Sequence, residues 1–128
     1  DDYAHHPTEI NAVYQAVREM YPVREVLAIF QPHLFSRTQD FGADFAQSLS
    51  QFDAVLLLDI YPARELPIEG IHSQWLLNQI KNPKKELITK EEIVDKIKAS
   101  TASVILTIGA GDIGAEVQKI KQALLHEN

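Results

Sequence analysis

Apolar residues fall into two patterns along this chain of 128 residues. Short, nearly continuous runs mark strands at 25–30 (Glu-Val-Leu-Ala-Ile-Phe), 54–58 (Ala-Val-Leu-Leu-Leu), 86–88 (Glu-Leu-Ile) and 103–108 (Ser-Val-Ile-Leu-Thr-Ile). Between them, apolar positions recur every three or four residues, which is the helical period. Ile10, Val13, Tyr14, Val17 and Met20 form the inward stripe of a first helix. Pro7 suits its first turn, Thr8 and Glu9 sit at the positive end of its dipole, and Tyr21-Pro22 ends it. Phe41, Phe45 and Leu49 mark a second helix, which Gly42 weakens by about 1 kcal/mol. Ser73 is the expected cap of a short helix holding Trp75, Leu76, Leu77 and Ile80. Thr89 and Glu92 have capping-box spacing ahead of Ile93 and Ile97, and Ile113, Val117, Ile120 and Leu124 face inward from the last helix.

The order α-β-α-β-α-β-α-β-α, with strands apolar on both faces, predicts an α/β domain. The expected architecture is a three-layer, Rossmann-like domain with a mostly parallel sheet and helices on both faces. The short run at 87–88 is the weakest element and could lie at an edge. Gln31 to Thr38 reads as a polar loop, Tyr61 to His72 as a second loop, and Asn82-Pro83-Lys84-Lys85 as a charged turn.

Composition narrows the function. A hydrophobic share of 45% with 23% charged residues is that of one folded domain, spanning 1–128. A net charge of −6 argues against a nucleic-acid surface, which needs clustered basic residues. The absence of cysteine removes disulfides, thiol nucleophiles and cysteine-ligated zinc, and a cytoplasmic location is expected. Apolar runs such as Ala54 to Leu58 are far too short to span a bilayer, and no signal peptide is visible. The chain opens on a dense polar cluster, Asp1-Asp2-Tyr3-Ala4-His5-His6-Pro7, without an initiator Met, and is expected to be a piece of something longer.

Ligands of open α/β sheets collect beyond the carboxyl ends of the strands. Three loops leave such ends: Gln31 to Thr38, Asp59 to Glu65, and Gly109-Ala110-Gly111-Asp112-Ile113-Gly114. Parallel strands would put all three on one rim, with the amino-terminal cluster nearby. The third loop has the spacing G-x-G-x-x-G, yet only 14 residues follow Gly114, too few for the helix and strand of a dinucleotide unit. Two readings stand: a tight turn whose glycines permit close packing, or a stand-alone nucleotide-responsive module using this loop. Adjacent His5 and His6, with His33, lack the spacing of a chelating helix pair, so no metal site is expected. His72 and His126 read as surface residues. Arg37 could grip a small carboxylate bidentately, or form a surface ion pair with Asp40 or Asp44. Arg64 and Glu65 read as solvated. No Gly is followed by Lys and no G-x-S-x-G is present, so the chain has neither a phosphate loop nor a nucleophile elbow.

Four blocks, in order, resemble one family end to end: residues 1–9 (Asp-Asp-Tyr-Ala-His-His-Pro-Thr-Glu); Phe30-Gln31-Pro32-His33 with Ser36-Arg37-Thr38; Asp59-Ile60-Tyr61-Pro62-Ala63; and the Gly109 to Gly114 loop. The resemblance is to the carboxy-terminal domain of the Mur ligases of peptidoglycan synthesis. Phe-Gln-Pro-His-x-x-Ser-Arg-Thr points to the branch that joins L-alanine to UDP-N-acetylmuramate, and a murein-tripeptide ligase would be expected to differ there. The resemblance implies a cytoplasmic three-domain enzyme in which ATP, with Mg, phosphorylates the muramate carboxyl. The alanine amine then attacks the acyl phosphate. This third domain closes over the other two and is expected to be inactive alone. It also implies residue roles: Asp2 near the ATP ribose; Tyr3, His5, His33 and Arg37 around L-alanine, with Arg37 on its carboxylate; and His5 as the catalytic group beside the acyl phosphate. Leu34 stands where some members carry a basic residue, leaving Arg37 the sole cationic anchor. Asp112 stands where Asn is common, making an anion there less welcome.

Overall fold

The computed structural model describes Asp2 and residues 4–125. Its elements are α1 (Pro7–Met20), β1 (Val26–Phe30), α2 (Phe35–Leu49), β2 (Ala54–Leu57), α3 (Ser73–Leu77), β3 (Lys85–Leu87), a 3-10 turn (Lys90–Glu92), α4 (Ile93–Ala99), β4 (Val104–Ile108), a second 3-10 turn (Asp112–Ala115) and α5 (Glu116–Leu125). The four strands form one parallel sheet in the order β3-β2-β1-β4. The chain steps outward from β1 to β2 to β3, then crosses back to lay β4 on the other side of β1. Crossovers of one hand that run in opposite directions put their helices on opposite faces. Accordingly Ala28, Phe30, Val55 and Leu57 face α1, α2 and α3, while Leu27, Ile29, Leu56 and Leu58 face α4 and α5.

The expected three-layer α/β domain is therefore present, with β3 at the edge. Several local details differ. The segment 31–38 is not all loop, because α2 already begins at Phe35, so Ser36, Arg37 and Thr38 lie in its first turn. Its backbone leaves the helical region at Phe41 (φ −118°, ψ 18°). The next residue must be glycine, since the Trp75 ring packs where a Cβ would stand, with Cη2 only 2.5 Å away. His72, not Ser73, caps α3, its Nδ1 accepting from the Trp75 N–H. Ser73 turns inward to donate to the Leu58 carbonyl. Met20 is 68% exposed and Leu124 also faces solvent, so the apolar stripes of α1 and α5 stop short of their last turns. Lys85 is more than turn charge: its ammonium closes the end of α3 by donating to the carbonyls of Leu77 (3.0 Å) and Ile80 (2.8 Å). No helix among the described residues is long and apolar enough to cross a membrane.

At the amino ends of the strands, Asp53 ties three elements together. One carboxylate oxygen accepts from the Val26 N–H (2.7 Å) that opens β1 and from Arg18 Nη2 (3.1 Å) near the end of α1. Burial pushes this carboxyl up, but the Val26 and Arg18 hydrogen bonds outweigh it and leave it below its ordinary value. A carboxyl whose folded pKa is depressed stabilises above its unfolded value and loses that contribution as pH falls through the folded value. Asp53→Asn is expected to lower stability by about 1–2 kcal/mol at neutral pH, the half-exposed setting keeping it modest. In urea unfolding, the gap to the parent should close as pH falls below about 4.

Candidate functional site

All four strands end on one rim, so the loops after β1, β2 and β4 meet there as the topology requires. The chain reverses its direction across the sheet between β1 and β4, where open α/β sheets commonly leave a ligand crevice. Here the crevice is filled. Gln31, the first residue beyond β1, is only 4% exposed. Its Nε2 donates to Asp112 (2.5 Å), its Oε1 accepts from the Ile113 N–H (2.9 Å), and its own N–H donates to the Ile108 carbonyl (3.0 Å). The glycine loop is built around this plug. A Cβ on Gly111 would stand 2.6 Å from Gln31 Oε1 and 2.6 Å from Tyr61 Cγ, and one on Gly109 2.9 Å from Ile113. Gly114 faces open space. The Gly109 N–H donates to the Asp2 carbonyl (3.0 Å). Asp112 also pairs with Lys90 Nζ at 2.5 Å. Burial pushes the Asp112 carboxyl up, and the bonds from Lys90 and Gln31 bring it below its ordinary value, so the loop carries an anion of its own. The close-packing reading of the glycines accounts for this geometry. The nucleotide-cradle reading does not, because the loop's inward amides at Gly109 and Ile113 already have partners.

The polar chemistry lies on the β1–β2 side of the plug. The loop after β1 and the loop after β2 join at an isolated parallel bridge between His33 and Tyr61. There the Leu34 N–H donates to the Tyr61 carbonyl and the Tyr61 N–H to the Pro32 carbonyl, both at 2.8 Å. The Tyr61 ring stacks on His33 at 12° with centroids 5.6 Å apart. His33 Nδ1 lies 3.0 Å from Arg37 Nη1. A guanidinium can only donate, so this nitrogen accepts and the ring proton belongs on Nε2. Burial lowers the His33 pKa, with the charges of Arg37 and His5 adding to it, which keeps the ring neutral and able to accept. The His5 ring stands edge-on to His33 at 6.2 Å, and its Nδ1 lies 3.6 Å from Glu9. Of the two readings of Arg37, the surface ion pair is not formed. Among the described residues its side chain meets neither Asp40 nor Asp44 but turns toward His33 and the charge of Glu65.

His5, His33 and Arg37 thus come together. Asp2 lies on the β4 side of the rim, paired with Ile108 as a short parallel bridge, its N–H on the Thr107 carbonyl (2.8 Å) and its Oδ1 accepting from the Ala4 N–H (2.9 Å). Tyr3 and His126 lie outside the described residues. Two residues were missed. Tyr61 lies in the Asp59-Ile60-Tyr61-Pro62-Ala63 block that carries the resemblance, but neither that block nor its place after a strand assigned it a role. Glu65, read as solvated, accepts from the Ser36 N–H (3.1 Å) and from the Ser36 hydroxyl. A cleft of about 320 Å³ opens on the far side of Tyr61, walled by Asp59, Thr89, Lys90 and Asp112.

A family model described as "Mur ligase, glutamate ligase domain" matches residues 1–113. The chain belongs to the Mur ligase family. What it matches is the family's carboxy-terminal domain. It is 68% identical over 127 residues to the UDP-N-acetylmuramate–L-alanine ligase of Christiangramia forsetii, covering 99% of this chain and 28% of that protein. It is 67% identical over 128 residues to the ligase of the same name from Flavobacterium johnsoniae, covering 100% and 28%. The chain therefore spans a little over a quarter of the length of these relatives. The crystal structure of a murein peptide ligase from Psychrobacter arcticus shares the fold, with a TM-score of 0.74 over all of this chain and 27% of that one, at 23% identity. In this Mur ligase domain, the glycine loop tests the close-packing account directly. Gly111→Ala is expected to destabilise by about 2 kcal/mol through its clash with Gln31 and Tyr61. Gly114→Ala should be neutral or stabilising by up to about 1 kcal/mol. Equal midpoints for the two variants in denaturant titrations would refute the packing role.

Proposed function

We propose that this Mur ligase domain supplies the amino-acid site of a cytoplasmic ATP-dependent ligase that joins L-alanine to UDP-N-acetylmuramate. The observation that carries this reading is the state of Arg37. Its guanidinium is held by a neutral imidazole on the rim, and among the described residues it has no carboxylate partner in an ion pair. A cation so held is prepared for a carboxylate from outside, and a guanidinium can engage both oxygens of an amino acid's carboxylate. Leu34 adds no second charge, so in this reading Arg37 is the one cationic anchor. His33 fixes Arg37 and offers an N–H from Nε2. His5, beside them, donates toward the charge that develops as the alanine amine attacks the acyl phosphate. Tyr3 belongs to the same pocket by its place in the shared motif.

The fit to ATP is partial and specific. One oxygen of Asp2 is engaged by the Ala4 N–H, and a carboxylate suits the hydroxyls of a ribose. Phosphates are poorly served, since the inner amides of the glycine loop are occupied and Asp112 sits among them. The phosphates and Mg therefore belong with parts of the enzyme outside this chain, and ATP supplies the activation of the muramate carboxyl there. On this reading the separate domain is inactive, and the enzyme is complete only when the amino-acid site closes against the activated substrate, excluding water. In the complete ligase, Arg37→Ala is expected to raise the L-alanine KM about 10- to 100-fold while the ATP KM stays unchanged. Steady-state kinetics with each substrate varied in turn provides the check, and an unaltered alanine KM would remove Arg37 from the pocket.

A further inference from the structure

We propose that Glu65 is a positioning residue for the carboxylate site: from the loop after β2 it caps α2, and thereby fixes where Arg37 points. The inference rests on Arg37 being the carboxylate anchor, and deepens that reading.

Helix α2 begins badly by local standards. The first turn of a helix leaves amide N–H groups without partners and favours negative charge. Leu34 stands at the cap position with no polar side-chain atom and with φ at +72°, a region leucine rarely adopts. No acidic residue lies in the first turn, which instead contains the cation Arg37 at the positive end of the dipole. Glu65 supplies what is missing from 29 residues further along. Its Oε1 accepts from the Ser36 N–H at 3.1 Å, and its Oε2 accepts from the Ser36 hydroxyl. These Ser36 bonds, side chain then backbone, hold its carboxyl below the ordinary value, so the cap is anionic at neutral pH.

The loop is shaped to deliver this carboxylate. Ala63 adopts φ of +52°, and the Glu65 N–H closes a turn onto the Pro62 carbonyl at 2.9 Å. Together with the His33–Tyr61 bridge, the loop after β2 thus grips the start of α2 at two points, one on either side of the strained Leu34. Two attachments fix the rotation of the first turn. Arg37 then rests on a neutral acceptor, His33, while Glu65, whose oxygens are already engaged by Ser36, acts on it only through its charge. The guanidinium is compensated without being consumed, and an incoming carboxylate meets it already oriented, which lowers the ordering cost of binding.

The test has two arms. In the complete ligase, Glu65→Ala should raise the alanine KM about five- to tenfold with ATP and UDP-sugar KM values unchanged, and should add almost nothing on top of Arg37→Ala. Glu65→Gln, which keeps an acceptor for Ser36, should recover part of the loss. An alanine KM raised by Arg37→Ala but untouched by Glu65→Ala overturns the proposal and leaves the carboxylate reading standing. The second arm needs no substrate: the His33 titration followed by NMR in this 128-residue chain. His33 is faced by Arg37 from α2, His5 from the amino-terminal segment, and Tyr61 and Glu65 from the loop after β2. Removing Glu65 as a mere distant anion would lower the His33 pKa further. Releasing Arg37 from the ring would raise it. The proposal expects a rise in Glu65→Ala, where Arg37 is released, and a lower His33 pKa in Glu65→Gln than in Glu65→Ala, because the retained acceptor keeps Arg37 near the ring while the anion is lost; a fall in Glu65→Ala overturns it. A rise alongside an alanine KM that neither Arg37→Ala nor Glu65→Ala alters would keep the positioning role and refute the alanine reading alone.

Discussion

Gln31 sits between the ends of β1 and β4 with both of its amide groups engaged, one by Asp112 and one by the Ile113 N–H. Much of the rim follows from that placement. A buried side-chain amide must satisfy both its donor and its acceptor, and it can do so only if the β4 loop comes within hydrogen-bond reach. The loop reaches that close because Gly109 and Gly111 carry no Cβ. Once the loop is drawn in, its amides turn toward protein atoms, Tyr61 packs beneath Gly111, and the Tyr61 ring is set against His33. A structural amide at the switch point thus moves the polar cluster sideways, onto the β1–β2 half of the rim.

The two halves of that rim have different characters. The β4 half is braced by internal bonds: the Asp2 bridge, the Gln31 plug and the bond from Lys90, beyond β3, to Asp112. The β1–β2 half keeps its aromatic and cationic groups partly exposed, with His5, His33, Arg37 and Tyr61 each only partly covered. Loops after parallel strands share a side of the sheet by topology, yet sharing a side does not give them a common use. In this chain one loop braces and the other two, with the amino-terminal segment, carry the partly exposed polar and aromatic side chains.

The sequence was most informative where structure is local. Four apolar runs became four parallel strands, Pro7 opened α1, and Thr89 with Glu92 formed its capping box, because each signal lies within a few residues of what it specifies. The start of α2 was illegible for the opposite reason. Its cap comes from Glu65 rather than from a residue at its own amino end, so Phe35 to Thr38 reads as loop. The same distance hid Glu65 and Tyr61 as members of the candidate site. His33 and Arg37 could be singled out by residue type and by a recognisable motif, but the hydrogen bond that makes one orient the other depends on the helix nobody local announces. Met20 and Leu124 show the converse limit: periodicity continues into last turns whose apolar side chains face solvent.

The outer strand has a consequence of another kind. β3 is three residues long, and Lys85 and Glu86 occupy two of them. Lys85 is turned back onto the end of α3, and Glu86 is bound to Lys96 at 2.6 Å. An exposed strand edge invites pairing with another chain, and brevity with fixed charges blunts that invitation. At the opposite edge, the short Asp2 bridge occupies the top of β4. Each margin of the sheet carries a feature that limits edge pairing, the short charge-bound β3 on one side and the Asp2 bridge at Ile108 on the other. Edge-to-edge association is thus discouraged at the margins while the polar rim stays partly exposed.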